Sequence, residues 1–414
     1  MNNIDEFARQ IMLRCQELGN ISQSPGIVDR RYLSSQHKLA NAAVAGWMQQ
    51  ANMRTWQDGA GNIWGRYESP NPNAQRLLIG SHLDTVINGG KYDGMLGVVC
   101  PIALIDIFYQ EQRTFPFHID IVGFGDEEGT RFGSTLLGSR ALTGKWDNSW
   151  ADLLDTNGVS LRQAMLDFGL NFDEIHLSKV PASSLLAYIE LHIEQGPVLE
   201  QQDLPVGIVT AIAGAKRLTI NVCGMAGHSG TVPMNIRKDA LTGASEMILA
   251  VEQIATEMGV VATVGKIENK PNAVNVISGN ADFSLDIRSD DDDLRVLTLD
   301  KILTRFSDIA NTRNLKVSSA ITHSAPAVIC NSKLIDALTK ATQLANIRPL
   351  KLLSGAGHDA MAMADICPVG MLFTRCEKGI SHHPGESITA PDVAASLQVL
   401  LHFINDFRLL GPDT

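Results

Sequence analysis

Histidines and carboxylates recur along this chain where apolar segments end, and these are the side chains that a metal centre or an acid–base pair needs. SHLDTV supplies His82 and Asp84, and Asp93 follows in GGKYDGMLG. Asp126, Glu127 and Glu128 run together in FGDEEGTRFG, His192 stands in ELHIEQG, and His382 with His383 in GISHHPGE. Imidazole mixed with carboxylate suits zinc or manganese better than calcium or magnesium. In H-x-D, positions i and i+2 of a strand face one side, so Asp84 can hold the second nitrogen of His82 and fix its tautomer. Three adjacent acids repel and raise one another's pKa. The run at 126–128 therefore requires a metal, a solvated turn or an acid–base role.

Taken singly, each residue has an ordinary explanation. A histidine at a strand end is commonly a satisfied core or surface residue, Y-D-G is good turn chemistry, and an acidic run is usually a solvated loop. His37, His118, His176, His323 and His402 have no acidic or glycine-rich setting and keep that explanation. The others, each at the end of an apolar segment, point to a site by their combination.

The elements that position them follow from periodicity. Residues 4–56 read as helical, interrupted by ELGNISQSPG. RLLIGSHLDTV (76–86) and FHIDIVGFG (117–125) read as strands, and MLGVVCPIALIDIFYQEQ (95–112) as a helix packed under the first. Such alternation predicts an α/β domain with a largely parallel sheet. From about residue 214 the texture changes. KRLTINVCG (216–224), a helix over 238–258, strand material in VATVGKIE and NAVNVISG, the alternating ADFSLDIRS (281–289), a helix over 291–314 and LKVSSAITH (315–323) follow one another. Their order, β-α-β-β-α-β, is ferredoxin-like. Helix–strand alternation resumes beyond about 329 with KATQLANI and PVGMLFTRC. The expected architecture is a discontinuous α/β domain, 1–213 with 329–414, interrupted by a smaller α+β domain at 214–328.

Composition bounds the function. With 414 residues, 44% of them hydrophobic and 19% charged, the chain can bury the cores of two domains. Its mean hydropathy of +0.02 is that of a soluble globular protein. Apolar runs such as LGVVCPIALIDIF fall short of a membrane span, and the N-terminus lacks a signal-peptide layout. A net charge of −11 speaks against nucleic acid, whose phosphates need a basic face, but admits a small anionic substrate. Six scattered cysteines without a C-x-x-C pair fit reduced thiols and a cytoplasmic setting.

GSHLDTVINGGKYDGMLG, GDEEGTRF, ELHIEQGPVLE, AGHSGTVPM, NAVNVISG, SGAGHDA and GISHHPGE, in this order, resemble the hydantoinase/carbamoylase group of metal-dependent amidohydrolases over roughly residues 20–408. That group holds allantoate amidohydrolases, N-carbamoyl-L-amino acid hydrolases and β-ureidopropionases, within a clan of dinuclear zinc aminopeptidases and aminoacylases. The resemblance implies a zinc-aminopeptidase-like catalytic domain, an inserted lid and dimerisation domain, and two divalent ions per subunit, zinc or manganese. His82 and Asp93 would hold one ion with His192, or with Glu128 and His382 completing the other, and Asp93 would bridge both. Glu127 would be the catalytic base. His228 in AGHSGTVPM matches the family histidine that reaches over the active site, often from the partner subunit, and would stabilise a developing oxyanion. Asn275 and Arg288 match a carboxylate-binding pair, work that suits the planar fork of arginine. Gln195, Arg217, Gly357 and His358 also fall on motif positions tied to substrate. Asp126 and His383 receive no role.

Members of the group act on a ureido or carbamoyl nitrogen beside a carboxylate. The resemblance thus implies hydrolysis at a ureido carbon of a small anionic substrate, with release of ammonia and carbon dioxide. RRYLSSQHKLANAAVAGWM, GDEEGTRFGSTLLGSRAL and GISHHPGE look closest to bacterial allantoate amidohydrolases, which convert allantoate to ureidoglycine in purine nitrogen catabolism. N-carbamoyl-L-amino acid hydrolysis is the alternative, since those enzymes share every ligand. A peptidase or aminoacylase of the wider clan comes next. A non-catalytic binding protein on the same scaffold is disfavoured by Glu127 beside its candidate ligands. A homodimer without nucleic-acid or membrane partners completes the expectation.

Overall fold

Segments that are apolar on both faces become the central strands of a parallel sheet. Arg76–His82, His118–Phe124, Leu185–Ile193 and Val369–Thr374 are buried almost throughout. In the computed structural model, which describes residues 3–407, these four lie side by side and parallel, in the order His118–Phe124, Arg76–His82, Leu185–Ile193, Val369–Thr374. Antiparallel strands flank them: Ile63–Tyr67 and Arg54–Gln57 beyond the first, Val206–Ile212 beyond the last. The chain is α/β, with parallel order at the centre of the sheet and antiparallel order at its margins. Leu96–Gln110 is an apolar helix with its residues largely buried, packed on Arg76–His82 and Leu185–Ile193. Parallel neighbours all end at one edge of the sheet, where loops of open α/β folds bind ligands. His82 closes one strand, His192 stands one residue before the end of another, and the segments 126–128 and 381–383 follow the other two.

The N-terminal segment differs from the helical expectation. Helices Ile4–Asn20 and Ser35–Gln50 are followed by a strand, Arg54–Gln57. Asn52 takes a left-handed φ of 60° that ends the helix, and Thr-Trp-Gln favours a pleated surface. Asp58 then closes the hairpin turn by accepting the amides of Ala60 and Asn62.

The chain divides into two units, residues up to Thr210 with those from Cys330 onward, and Ala211–Ile329. In the second, Gly214–Cys223 pairs antiparallel with Asn280–Ser289 and Lys316–Ala325. Asn280–Ser289 pairs in turn with Val261–Thr263 and Ile267–Lys270. Helices Ala240–Met258 and Asp292–Thr312 start on Asp239 and Asp291, whose carboxylates take first-turn amides that would otherwise be unpaired. Every second residue of Asn280–Ser289 is buried, so Ala281, Phe283, Leu285 and Ile287 share one core with Met247, Ile302 and Phe306. Each large side chain buried there contributes about 1.5–3 kcal/mol. NAVNVISG does not join this sheet. Its Val276–Ile277 pairs with Gly227–His228 as a separate ribbon, and the Asn275 carbonyl accepts the Ser229 amide at 3.0 Å. Among the described residues no helix is long and apolar enough to cross a membrane. All six cysteines are free.

Candidate metal centre

Loops at the ends of the parallel strands bring five of the expected residues together. Asp93 Oδ1 faces His192 Nε2 at 3.2 Å and His82 Nε2 at 3.7 Å, while its Oδ2 faces His382 Nε2 at 3.2 Å. His382 Nε2 also lies 3.4 Å from Glu128 Oε1. Ligand-capable atoms of His82, Asp93 and His192 all fall within 4.8 Å of one another, as do those of Asp93, Glu128 and His382. Asp93 is thus common to two groups, one oxygen turned to each. Its Oδ1 and His192 Nε2 are buried yet lack hydrogen-bond partners, an unfavourable state for polar atoms that a cation between them would relieve. His82 and His192 each place Nδ1 2.9 Å from a main-chain carbonyl, of Asp84 and Ile193 respectively. With Nδ1–H donated there, the Nε2 lone pairs face Asp93, the arrangement of a metal-binding imidazole. This donor set fits zinc or manganese. Gly94 makes the approach possible: at its φ of +69° a Cβ would stand 2.5 Å from the His82 ring.

Asp84 keeps its carboxylate near the ring of His82 and takes on a second contact. The strand ends at His82, and Asp84 follows in the loop. Its carboxylate stands 3.5 Å from His82 Nδ1 and accepts the amides of Glu127 and Glu128 at 3.0 and 3.2 Å. It therefore fixes the turn that carries both glutamates. The acidic run separates into three environments. Asp126 is fully buried, with neither carboxylate oxygen hydrogen-bonded. Glu128 turns to His382. Glu127 offers an oxygen within 4.8 Å of His82 and Glu128, and a Cβ on Gly357 would stand 3.5 Å from its Oε1.

Other expected substrate residues of this unit touch the ligands themselves. Gln195, at a left-handed φ of 56°, donates Nε2 to Asp93 Oδ2 at 3.2 Å and to Ser381 Oγ at 3.1 Å. His358 is 1% exposed, its ring centroid 4.5 Å from that of His192 and its Nε2 2.7 Å from Ser354 Oγ. It packs against His192. His383 turns Nδ1 to the Gly385 amide. Two residues outside the sequence expectation also hold the site. Fully buried Arg30 donates Nε to the Leu83 carbonyl at 2.7 Å and Nη1 to carbonyls at the end of Ile4–Asn20 and just beyond it. Its amide also donates to the Thr85 hydroxyl oxygen, so residues 83–85 are clamped beside His82. Glu386 accepts amides at Tyr92 and Asp93. An arginine in an irregular loop gives no periodic signal; Glu386 stood in plain view within GISHHPGE.

In the second unit, His228 is exposed on Gly227–His228, its Nδ1 accepting the Gly230 amide at 3.1 Å. Arg288 donates Nε and Nη2 to Asp286 at 3.0 and 2.9 Å, and Arg217 donates Nε to the same carboxylate at 2.9 Å. The fork expected to bind a substrate carboxylate already holds one from its own strand. These cations keep Asp286 below the usual carboxylate range, against its burial.

Burial, then the charge of Asp93, raises the Glu128 carboxyl to about 7. Burial and the neighbouring Glu128 push Glu127 well above the usual carboxylate range. The hydrogen bond to Asp93 raises His382 to about 9, and His82 and His192 are also raised, against their burial, by their carboxylate partners. In the metal-free protein Glu128 keeps, between 4.5 and about 7, a proton that the unfolded chain has released; His382 does so between 6.5 and about 9. The folded state then binds more protons, so its stability falls as pH rises through both windows. His382 is half-exposed and weighs less, by solvent screening. A bound ion displaces these protons. The melting-temperature gap between metal-loaded and chelator-treated protein is therefore expected to be wider at about pH 9 than at about pH 6; equal gaps would contradict this electrostatic picture.

Residues 78–406 match peptidase family M20/M25/M40. The chain is 38% identical to allantoate deiminase of Arabidopsis thaliana, over 95% of this chain and 81% of that one. It is 37% identical to N-carbamoyl-L-amino acid amidohydrolase of Geobacillus stearothermophilus, over 94% and 96% respectively. Among solved structures, an amidase of the hydantoinase/carbamoylase family from Burkholderia multivorans superposes with a TM-score of 0.90 at 28% identity, covering 96% of this chain and 97% of that one. Sequence and fold agree: the chain belongs to peptidase family M20/M25/M40, on its hydantoinase/carbamoylase branch.

Proposed function

We propose that the chain is a divalent-metal-dependent amidohydrolase that cleaves a ureido group beside a carboxylate, with allantoate as its substrate. One water enters, and ureidoglycine, ammonia and carbon dioxide leave. The observation that carries the proposal is the sharing of Asp93 between the His82/His192 and Glu128/His382 groups. Two ions, zinc or manganese, are proposed for them; when bound they supply Lewis acidity, polarising a carbonyl and making a water acidic near neutral pH. Glu127 takes the proton of the attacking water on a carboxylate oxygen and returns it to the leaving nitrogen. Asp84 keeps the turn in place during that transfer through its bonds to the Glu127 and Glu128 amides. Gln195 orients Asp93, and Gly357 lies beside Glu127. We assign His228 to the developing oxyanion and Arg217, Asn275 and Arg288 to recognition of the substrate carboxylate, which would take the place of Asp286 in the fork of Arg288. A homodimer and a cytoplasmic setting complete the proposal, the latter supported by the free cysteines.

Hydrolysis of N-carbamoyl-L-amino acids is the second reading, favoured by the nearly equal likeness to the Geobacillus stearothermophilus enzyme. Ammonia release measured in parallel on allantoate and N-carbamoyl-L-amino acids, with added Mn²⁺ or Zn²⁺, separates the two. Release from allantoate is expected. Release from the carbamoyl amino acids alone would overturn the choice, and cleavage of dipeptides or acetyl-amino acids alone would overturn the ureido reading.

A further inference from the structure

Glu386 is 3% exposed and ties together segments at opposite ends of the chain. Its Oε1 accepts the backbone amides of Tyr92 and Asp93, each at 3.0 Å. Its Oε2 accepts the Ser381 hydroxyl at 2.9 Å. The same Ser381 oxygen lies 3.3 Å from Asp93 Oδ2 and accepts Gln195 Nε2 at 3.1 Å. Gly90 lies against this carboxylate so closely that a Cβ there would fall 2.1 Å from Glu386 Cδ. Among the described residues, Glu386 belongs to none of the groups whose atoms converge closely enough to hold an ion.

We propose that Glu386 is a positioning residue for the metal centre. One carboxylate fixes the backbone at Asp93 and, through Ser381, the segment that delivers His382. Both His382 and Gln195 adopt left-handed backbone, φ 54° and 56°, which side chains of this size take only when their surroundings hold them there. Glu386 supplies that hold on the His382 side, because its hydroxyl contact is made one residue before the histidine. Alignment matters because Asp93 turns one oxygen to each group: a rotation of its backbone misdirects both at once. The inference rests on the metal-centre reading above.

The test is a Co²⁺ titration of full-length chelator-treated protein, followed by visible absorption, on the wild type, Glu386→Ala, Glu386→Gln and Ser381→Ala. Losing a partner that orients a metal ligand costs about 10–100-fold in metal affinity. Glu386→Ala is expected to lose that much and to change the shape of the Co²⁺ bands; Ser381→Ala, which cuts only one link, is expected to lose less. A role limited to stability would lower the melting temperature and leave the affinity and bands of the folded protein as in the wild type, and that outcome overturns the proposal. Should Glu386→Ala not fold, Glu386→Gln carries the test, since its amide group turns a donor toward Ser381 or the two backbone N–H groups. Wild-type protein that binds no Co²⁺ would sink the metal-centre reading and this inference with it. Wild-type binding that Glu386→Ala and Glu386→Gln both match would sink this inference alone.

Discussion

Glu127→Gln is expected to lower kcat for ammonia release by about 10²–10⁴-fold, while metal content stays that of the wild type. The substitution keeps the shape of the side chain and removes only its ability to accept a proton. The turn around it is held through main-chain amides, by Asp84, so the change of side chain leaves Glu128 where it is. The loss corresponds to about 3–5 kcal/mol of transition-state stabilisation, and it should appear in kcat and kcat/KM alike, because the proton moves only as the reaction proceeds. Burial and the adjacent Glu128 put the Glu127 carboxyl well above its ordinary range; ions bound beside it would bring it back toward neutrality, where a proton carrier works best. Steady-state ammonia release combined with metal analysis decides the matter. A kcat within a few-fold of the wild type would remove Glu127 from the chemistry. A variant stripped of metal would make it a ligand instead.

The site was legible in the sequence to the extent that strands are. His82 and His192 end or nearly end strands whose apolar runs are plain, so their placement at one edge of a parallel sheet follows from the order of elements. Asp84 was legible in part: its carboxylate lies 3.5 Å from His82 Nδ1, but its bonds to the Glu127 and Glu128 amides are made in a loop beyond the strand, where no period announces them. His358 falls on a motif position tied to substrate, but a glycine-rich segment says nothing about burial, and the buried ring lies packed against His192. Arg288 matches a carboxylate-binding position, and its fork holds Asp286, two residues away on the same face of its strand. That contact has period two and was readable. Contacts such as Arg30 to Leu83, or Glu386 to Asp93, join loops far apart in the chain, and no local pattern encodes them.

Asp93→Asn is expected to remove both ions and with them all measurable turnover, whereas His82→Ala should weaken one ion far more than the other. The difference follows from geometry. Oδ1 of Asp93 addresses His82 and His192, and Oδ2 addresses His382. An amide in its place presents one oxygen and one N–H group, so whichever way it turns, a donor faces a lone pair or a cation. A residue that merely supports a ligand is worth about 10–100-fold in affinity, so losing a shared ligand should cost each ion at least about 10²-fold. The remaining charges make matters worse: Glu127 and Glu128 lose their neutralising cations in a buried setting, and His82, His192 and His382 lose the carboxylate that raises them. Calorimetric titration with Zn²⁺ or Mn²⁺ resolves the two affinities. An Asp93→Asn protein that keeps one tight site at wild-type strength would show that the carboxylate serves a single ion, and the two-group reading of the centre would have to be abandoned.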